Sequence, residues 1–269
     1  VKRLLQGYGA LHGLRSLSLL LGVKRAGVML SCCTPMEALI GDRREAVRPL
    51  YSGYPGLQGG IEAVLEGGFG QVYVDDVGSP RVARMVVGDF HMVAGDPSAP
   101  GAADALLAVP SGEYISVPEH WHDFVRLSLP TAEPRERFSL SAPKEWDRAH
   151  LAELRELLPP GYELRRVDAD SVAAFRDLNE TFVDNFASLE DYLRRGIGFA
   201  VTNERELVAG CSTYTISSRC LEFEIETHVD YQRRGLALVT GARMIEHCLE
   251  AGLEPCWDAA HDGSARLAE

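Results

Sequence analysis

The sequence predicts a protein of mixed α and β structure (α/β, in the α+β sense). A mixed, largely antiparallel sheet flanked by helices is expected, with a smaller α/β domain before it. Residues 222–229 alternate between charged or polar and apolar or β-branched side chains, which is the period of a strand. From Leu236 the apolar residues recur at helical spacing until Gly252, a residue suited to end a helix. A strand, a short turn and a helix therefore follow one another.

Composition indicates an ordinary globular chain. Of 269 residues, 46% are hydrophobic and 25% are charged, so one or two domains with a sizeable core are expected. The formal net charge of −12 argues against nucleic acid as the main partner, because phosphate backbones are bound by basic surfaces. The charge is compatible with a cationic or amine-bearing acceptor. No segment contains 18 uninterrupted apolar residues, so no membrane span is predicted.

The cysteines and histidines do not predict a metal site. The six cysteines form no C-x-x-C pair and have no metal-ligand spacing, which favours reduced thiols in a cytoplasmic protein. His91, His120 and His122 lack ligand spacing on one element. We therefore expect a cytoplasmic protein without a bound metal.

Residues 1–33 are expected to form a weakly ordered extension. Their leucine-rich run is interrupted by Arg15, Lys24 and Arg25, and no small-x-small cleavage site follows, so a signal peptide is not favoured. The alternative is that the stretch reflects where the start of the chain was assigned.

Residues 34–140 are expected to form the N-terminal α/β domain. Thr34 and Pro35 are suited to the first positions of a helix whose apolar residues extend to Val47. The pattern then predicts, in order, a strand at 69–74, its hairpin partner at 82–87 with a possible continuation through 88–92, a strand at 113–117 and a helix from 118.

A domain boundary is expected within residues 130–160, which contain several prolines. The second domain, 141–269, begins with a helix that Pro159, Pro160 and Gly161 end. The predicted elements that follow are a strand at 162–167, a helix to 178, short helices at 182–186 and 189–193, a hairpin of 198–201 and 207–215, a strand at 219–229, a helix after 235, a strand at 254–257 and a helix from 264.

The turn between the strand and the long helix has the composition of an anion site. Its sequence is Gln-Arg-Arg-Gly-Leu-Ala, residues 232–237. The first N–H groups of a helix lack intrahelical partners and lie at the positive end of its dipole, so they can bind a phosphate. Gly235 allows close approach, while Arg233 and Arg234 add positive charge. An ordinary helix start is the alternative explanation of this turn by itself.

Gln-x-x-Gly-x-Ala between a strand and a helix resembles the pyrophosphate loop of the Gcn5-related N-acetyltransferases, the GNAT superfamily. Residues 257–269, WDAAHDGSARLAE, strengthen the resemblance. They are similar to the Trp-Asp-Ala-Ala-Asn-x-x-Ser-x-x-Leu-Ala-Glu signature of a branch that includes zwittermicin A resistance-type proteins. His261 departs from it, since this position usually holds Asn. The resemblance is clear over residues 160–269 and looser over 35–160.

The resemblance implies a GNAT fold for residues 141–269. In the family, the helix at this signature leads to a further pair of strands. We therefore expect the domain to be truncated at its C-terminus, which puts the completeness of its active site in question.

The resemblance also implies acetyl-CoA as cosubstrate, with direct transfer and no cysteine nucleophile. The backbone of residues 227–229 would hold the pantetheine arm and thioester, and the loop N–H groups would hold the pyrophosphate. His261 would supply a polar contact in place of the family's Asn. The candidate cofactor-binding residues are Thr227, His228, Val229, Gln232, Arg233, Arg234, Gly235, Leu236, Ala237, His261 and Ser264.

The acidic face of the strand contains the candidate catalytic residues. Glu222, Glu224 and Glu226 are spaced two apart, and their repulsion is expected to raise the pKa of at least one carboxyl group. Such a carboxylate can accept a proton from an amine, directly or through water. Glu226 and Glu224 are the first candidates for the base, with His228 as a further one. The alternative is that these side chains face solvent or bind a cationic acceptor. No tyrosine follows in 263–269, so the general acid is unassigned.

We therefore interpret the chain as a cytoplasmic GNAT-type N-acetyltransferase that acts on a small amine. Its expected partners are acetyl-CoA and that amine, without nucleic acid or membrane, and the sequence leaves the oligomeric state open. The alternative is a non-catalytic acyl-CoA-binding regulatory module. An antibiotic-resistance acetyltransferase would differ only in its acceptor.

Overall fold

The structure is a computed structural model that describes residues 16–22, 35–140, 143, 145–204 and 206–268. The chain divides into two compact units. The N-terminal unit is Ser16–Ser139, and the described part of the C-terminal unit is 140–268.

The N-terminal unit is a sheet with helices. Its strands are β1 (Ser16–Gly22), β2 (Glu37–Leu39), β3 (Gln71–Val74), β4 (Val82–Val87), β5 (Phe90–Gly95), β6 (Tyr114–Ser116) and β7 (Glu133–Ser139). Its helices are α1 (Gln58–Leu65), α2 (Ala102–Leu107) and α3 (His122–Ser128), with 3-10 helices at Gly41–Tyr51 and Glu119–Trp121. The strands lie in the order β7-β1-β6-β5-β4-β3-β2, and β5 and β6 are parallel.

Helices α2 and α3 cover a core in the N-terminal unit. Trp121 is fully buried there, and its indole N–H donates to the carbonyl oxygen of Gly95 at 2.9 Å. The apolar cluster around it includes Val82, Val93, Leu106, Ile115 and Val125.

The C-terminal unit has a five-stranded sheet. Its strands are β8 (Glu163–Arg166), β9 (Gly198–Thr202), β10 (Leu207–Ile216), β11 (Cys220–Thr227) and β12 (Glu254–Cys256), in sequential order, followed by a short β13 (Asp258–Ala259). Its helices are α4 (Arg148–Arg155), α5 (Val172–Leu178), α6 (Leu189–Arg195), α7 (Leu236–Ala251) and α8 (Asp262–Ala268), with 3-10 helices at Glu180–Phe182 and Val229–Tyr231. Only the β11–β12 pair in this sheet is parallel.

Both faces of this sheet are covered. Helices α4 and α7 pack on one face, with Leu221, Phe223 and Met244 in their shared core. On the other face the rings of Phe175 and Phe182 stack at 4.5 Å. Gly210 is required beneath them, since a Cβ atom there would lie 2.5 Å from the Phe175 ring. The sheet is therefore held rigidly between two helical layers.

Three stretches differ from the sequence prediction. Residues 36–47 form β2 and a 3-10 helix rather than one α-helix, because Ile40 is extended and Gly41 has φ of +56°. Thr34, the predicted cap, lies outside the described residues. Gly88, at φ of +54°, turns the chain between β4 and β5, so residues 88–92 do not simply extend β4.

The predicted extension, 1–33, contains strand β1 at Ser16–Gly22, where serine and leucine alternate at first. Residues 1–15 and 23–33 lie outside the described residues. The domain ranges predicted from the sequence, 34–140 and 141–269, remain predictions.

Candidate functional site

Strands β11 and β12 separate and leave a free strand edge. Their parallel pairing covers Cys220–Glu222 of β11 against Glu254–Cys256 of β12. Beyond Glu222, strand β11 continues to Thr227 and pairs with β10 on its other side. Within the described ranges, no strand pairs with the opposite edge of residues 223–227. This edge presents backbone N–H and C=O groups to which an extended ligand can bind as an additional strand does.

Thr227 ends this edge with a buried hydroxyl group. The residue is 9% exposed. Its Oγ1 atom has no hydrogen-bond partner among the described residues. A buried polar atom without a partner costs free energy, and a polar ligand bound at the open edge of β11 would remove that cost.

The loop after β11 has the backbone conformation of a helix start with room for an anion. Arg233 and Gly235 have φ of +61° and +83°, and Gly235 is the N-cap of α7. No atom lies within 4 Å of the position of a Cβ on Gly235. There is therefore room beside Gly235 at the N-terminus of this 16-residue helix, which is the positive end of its dipole.

Side chains fix the loop to the sheet. Gln232 donates its amide N–H to the carbonyl oxygen of Thr227 at 3.2 Å. The guanidinium of Arg234 donates to the hydroxyl of Tyr162 and to the carbonyl oxygen of Asp230, both at 2.8 Å. It also lies 5.0 Å from the ring centroid of Tyr231. Arg234 therefore braces the loop.

Arg233 contrasts with its neighbour. It is exposed, and its side chain has no hydrogen-bond or ion-pair partner within the described part of the chain. Its charge is thus available to an anion at the start of α7.

A second network lies beside the brace. Tyr231 donates its hydroxyl to Glu206 at 2.6 Å, which raises the pKa of Tyr231, and it accepts from the side-chain amide of Asn203 at 3.1 Å. These contacts anchor the 3-10 turn between β11 and the loop.

The three glutamates of β11 differ in their surroundings. Glu222 is 6% exposed, near the point where β11 and β12 still pair. Glu224 accepts hydrogen bonds from the side chains of Asn179 and Thr181. Glu226 accepts one from the backbone N–H of Thr227 at 2.9 Å. The three carboxylates therefore have different contacts, although they are evenly spaced along one strand.

The other candidates lie directly after β11 and at the start of α8. His228 is half-exposed, and its Nδ1 atom accepts from the backbone N–H of Asp230 at 3.4 Å. Val229 is 72% exposed. His261 and Ser264 lie at the start of α8, where the Nδ1 atom of His261 accepts the backbone N–H of Ser264 at 3.1 Å. His261 therefore caps this helix.

An apolar groove connects the loop region with α8. It is lined by residues of α4, α7 and α8, including Leu154, Ala237, Leu238, Gly241 and Leu267. Ala237, the last residue of the loop motif, thus lines the same groove as Leu267 of the 257–269 segment.

Asn179, Thr181 and Tyr162 were missed by sequence reasoning. Asn179 and Thr181 precede Glu224 by more than 40 residues, and Tyr162 precedes Arg234 by 72. An Asn two residues before a Thr is typical of a tight turn, but this pattern does not predict which carboxylate the turn contacts.

Neither a metal site nor a membrane-spanning helix is found among the described residues. No group of three or more His, Cys, Asp or Glu side chains has the arrangement to hold a metal ion. No helix there combines the length and apolar character needed to cross a bilayer.

Comparison with known proteins matches most of the chain to one family. The model of the GNAT acetyltransferase family matches residues 58–269. A curated relative, the uncharacterized N-acetyltransferase YdfB of Bacillus subtilis (strain 168), is 30% identical over 102 residues. That match covers 38% of this chain and 39% of the relative, so the chain spans about two fifths of the relative's length.

Two solved structures cover most of this chain. A GCN5-related N-acetyltransferase-like protein from Streptococcus suis 89/1591 has 27% identity and a TM-score of 0.73, covering 84% of this chain and 92% of that one. A GCN5-related N-acetyltransferase from Kribbella flavida has 14% identity and a TM-score of 0.48, covering 84% and 89%.

Proposed function

This chain belongs to the GNAT acetyltransferase family, and from that premise we propose that it is an N-acetyltransferase that transfers an acetyl group from acetyl-CoA directly to a small-molecule amine. The single observation that carries this proposal is the separation of β11 from β12 directly before the loop and the start of α7. An open strand edge and a helix start in succession offer amide-binding and phosphate-binding groups along one path.

The residues present fit acetyl-CoA. The open edge of residues 223–227 and the partnerless hydroxyl of Thr227 suit the amide groups of a pantetheine arm. The free space at Gly235 and the charge of Arg233 suit a pyrophosphate. The residues proposed to hold acetyl-CoA are Thr227, His228, Val229, Gln232, Arg233, Arg234, Gly235, Leu236 and Ala237, with His261 and Ser264 as polar groups at α8. Arg234 would support acetyl-CoA binding by holding the loop in place through Tyr162 and Asp230, rather than by contacting acetyl-CoA.

The proposed reaction needs a proton acceptor near the thioester. The acetyl carbon forms a bond to the amine nitrogen, the carbon–sulfur bond breaks, and the amine proton passes to a base. Glu224, Glu226 and His228 are the proposed candidates, because Glu224 and Glu226 belong to the part of β11 that has the open edge and His228 directly follows it. The released thiolate takes up a proton from water or from an acid that remains unassigned.

The acceptor is proposed to be a small cationic amine. This rests on the net charge of −12 and on the three glutamates of β11. The zwittermicin A resistance-like branch is part of the same proposal and rests on residues 257–269. We also propose a cytoplasmic location, on the grounds of cysteine usage alone.

A non-catalytic acyl-CoA-binding regulator is the alternative function. The two are separated by measuring release of free thiol from acetyl-CoA in the presence of a panel of small amines, with product mass as a second readout. An N-acetyltransferase releases thiol only with an acceptor amine and yields a product heavier by one acetyl group. Acetyl-CoA binding without thiol release for any amine would favour the regulator.

A further inference from the structure

Two side chains hold both carboxylate oxygens of Glu224. The amide nitrogen of Asn179 donates to Oε1 at 3.3 Å, and the hydroxyl of Thr181 donates to Oε2 at 2.6 Å. Asn179 and Thr181 also bind each other, since the backbone N–H of Thr181 donates to Oδ1 of Asn179 at 3.1 Å. Together they form a two-pronged clamp on one carboxylate.

The clamp is itself anchored to the sheet. Asn179 is the N-cap of the 3-10 helix Glu180–Phe182, and Phe182 is fully buried. The carbonyl oxygen of Phe182 accepts a hydrogen bond from Ser212 of β10 at 2.7 Å. Ser212 lies directly opposite Glu224 in the β10–β11 pair. The donors and their acceptor are therefore fixed to the same point of the sheet.

Among the described residues, Glu226 has no such support from another element: its contact is with the adjacent backbone N–H of Thr227. A side chain held from two directions has less freedom to rotate, and a base acts efficiently only when it is held in position.

We propose that Asn179 and Thr181 are positioning residues that orient Glu224 to accept the proton of the acceptor amine. This inference rests on the proposed acetyl transfer and selects Glu224 over Glu226 and His228. In the step, the nitrogen lone pair forms the bond to the acetyl carbon, the carbon–sulfur electron pair leaves with sulfur, the nitrogen proton moves to Glu224, and water protonates the thiolate.

Thr181→Val and Thr181→Ser test the clamp. Valine keeps the shape and removes the hydroxyl, whereas serine keeps the hydroxyl. We expect Thr181→Val to lower kcat about tenfold, with the Kd for acetyl-CoA unchanged within about twofold, and Thr181→Ser to recover most of kcat. Thr213→Val is the matched control, since the buried Thr213 hydroxyl binds the Ile197 backbone instead. It should lower Tm and leave kcat within about twofold.

The outcomes separate this inference from the proposed function. Wild-type kcat in Thr181→Val, or equal loss in the valine and serine variants, overturns the clamp alone. Absence of wild-type turnover with any amine, while acetyl-CoA still binds, overturns the proposed transfer and the clamp with it.

A different observation carries a second inference: the N-terminal unit repeats the order of the C-terminal one. In both units a strand is followed by helical segments (two in the N-terminal unit, three in the C-terminal one), three antiparallel strands, a helix, a parallel strand and a further helix. The sheet orders β2-β3-β4-β5-β6 and β8-β9-β10-β11-β12 correspond, and in each only the last pair is parallel. The two units thus share one strand topology over these five strands.

Two tyrosine side chains lie near the corresponding point of the N-terminal unit, where the pairing of β5 with β6 ends. The hydroxyl of Tyr54 donates to the carbonyl oxygen of Ser116 at 2.5 Å, where the pairing of β5 with β6 ends. The hydroxyl of Tyr51 donates to the carbonyl oxygen of Met92 at 2.8 Å and accepts from the N–H of Met85 at 3.1 Å. Both tyrosines are almost fully buried. The Tyr54 hydroxyl therefore lies at the point where β5 and β6 stop pairing, which corresponds to the point where β11 and β12 separate.

The loop before α2 also differs from its counterpart. Asp96 stands in it, accepts hydrogen bonds from the hydroxyl of Ser98 at 2.6 Å and from its N–H at 2.8 Å, and pairs with Arg81 at 2.5 Å. These contacts lower the pKa of Asp96 to about 2, so it is ionised at neutral pH. Pro97 and Pro100 have no N–H to donate. A carboxylate and two prolines replace the arginines and N–H donors of the other loop.

We infer that the N-terminal unit is a copy of the acetyltransferase fold that has lost its acetyl-CoA site, so that each chain binds one acetyl-CoA. Calorimetric titration of the whole chain should give one site, and Gly235→Asp should weaken that site and leave no site of wild-type affinity. Tyr54→Phe should lower Tm and leave the acetyl-CoA Kd unchanged. Two sites per chain, or a site of wild-type affinity in Gly235→Asp, would overturn the inference. No binding by wild type would contradict both the count of one and the proposed function.

Discussion

The side-chain amide of Gln232 lies 3.2 Å from the carbonyl oxygen of Thr227 and joins the loop to the last residue of β11. One hydrogen bond thus couples the proposed phosphate-binding loop to the open strand edge. The position of the loop therefore depends on the position of the open strand edge.

Gln232→Met should weaken acetyl-CoA binding without unfolding the chain. Methionine has a similar length and no donor, so the loop loses one hydrogen bond worth about 0.5–1.5 kcal/mol. We expect the Kd to rise about threefold to tenfold in calorimetric titration. An unchanged Kd would show that the loop keeps its position without this bond.

Gly235→Asp and Gly235→Asn form a matched pair. Both side chains tolerate a positive φ better than other residues, and there is space for a Cβ atom. Aspartate adds a negative charge where the pyrophosphate is proposed to bind, so its acetyl-CoA Kd should exceed that of the asparagine variant by at least about tenfold. Circular dichroism checks that both are folded. Equal affinities of the two variants would place the phosphate elsewhere.

Arg233→Gly should separate affinity from stability. Arginine at φ of +61° is strained by about 1 kcal/mol or more, which glycine relieves at the cost of chain entropy. Unfolding free energy should therefore stay within about 1 kcal/mol of wild type, while the acetyl-CoA Kd rises about tenfold. Arg234→Met should instead lower Tm, since it removes the brace to Tyr162 and Asp230. A lowered Tm in Arg233→Gly together with a raised acetyl-CoA Kd in Arg234→Met would contradict the roles assigned to these two arginines.

Stability should fall as the pH drops below 6.5, because of His91. Burial lowers the pKa of His91 from 6.5, opposed by the hydrogen bond to Glu113 and assisted by the nearby charge of Arg84. Between the depressed folded pKa and 6.5 the unfolded chain binds more protons, so acidification favours unfolding. Tm measured from pH 7.5 to 5 should fall more steeply in wild type than in His91→Gln. An equal fall of Tm with pH in wild type and in His91→Gln would contradict the role assigned to His91.

The sequence predicts the strand–turn–helix unit of β11 and α7 well, because both elements have strong and different apolar periods. It fails at residues 36–47, where helix-forming side chains are interrupted by an extended Ile40 and by Gly41. Local propensity there is overridden by the pairing of β2 with β3.

The site is predicted only in part for a similar reason. Gln232, Arg233 and Gly235 lie close together in sequence and could be grouped from it. The clamp of Asn179 and Thr181 on Glu224 and the brace of Tyr162 on Arg234 join segments far apart in sequence. The two neighbouring arginines look equivalent in the sequence, and only the fold distinguishes the braced side chain from the available one.

Hydrogen exchange of backbone amides with and without acetyl-CoA tests the central claim most directly. The account predicts that acetyl-CoA slows exchange in peptides covering residues 223–229 and 233–238 of the intact chain and leaves residues 90–95 and 101–107 unchanged. Protection confined to the N-terminal unit, or no protection at millimolar acetyl-CoA, would contradict it.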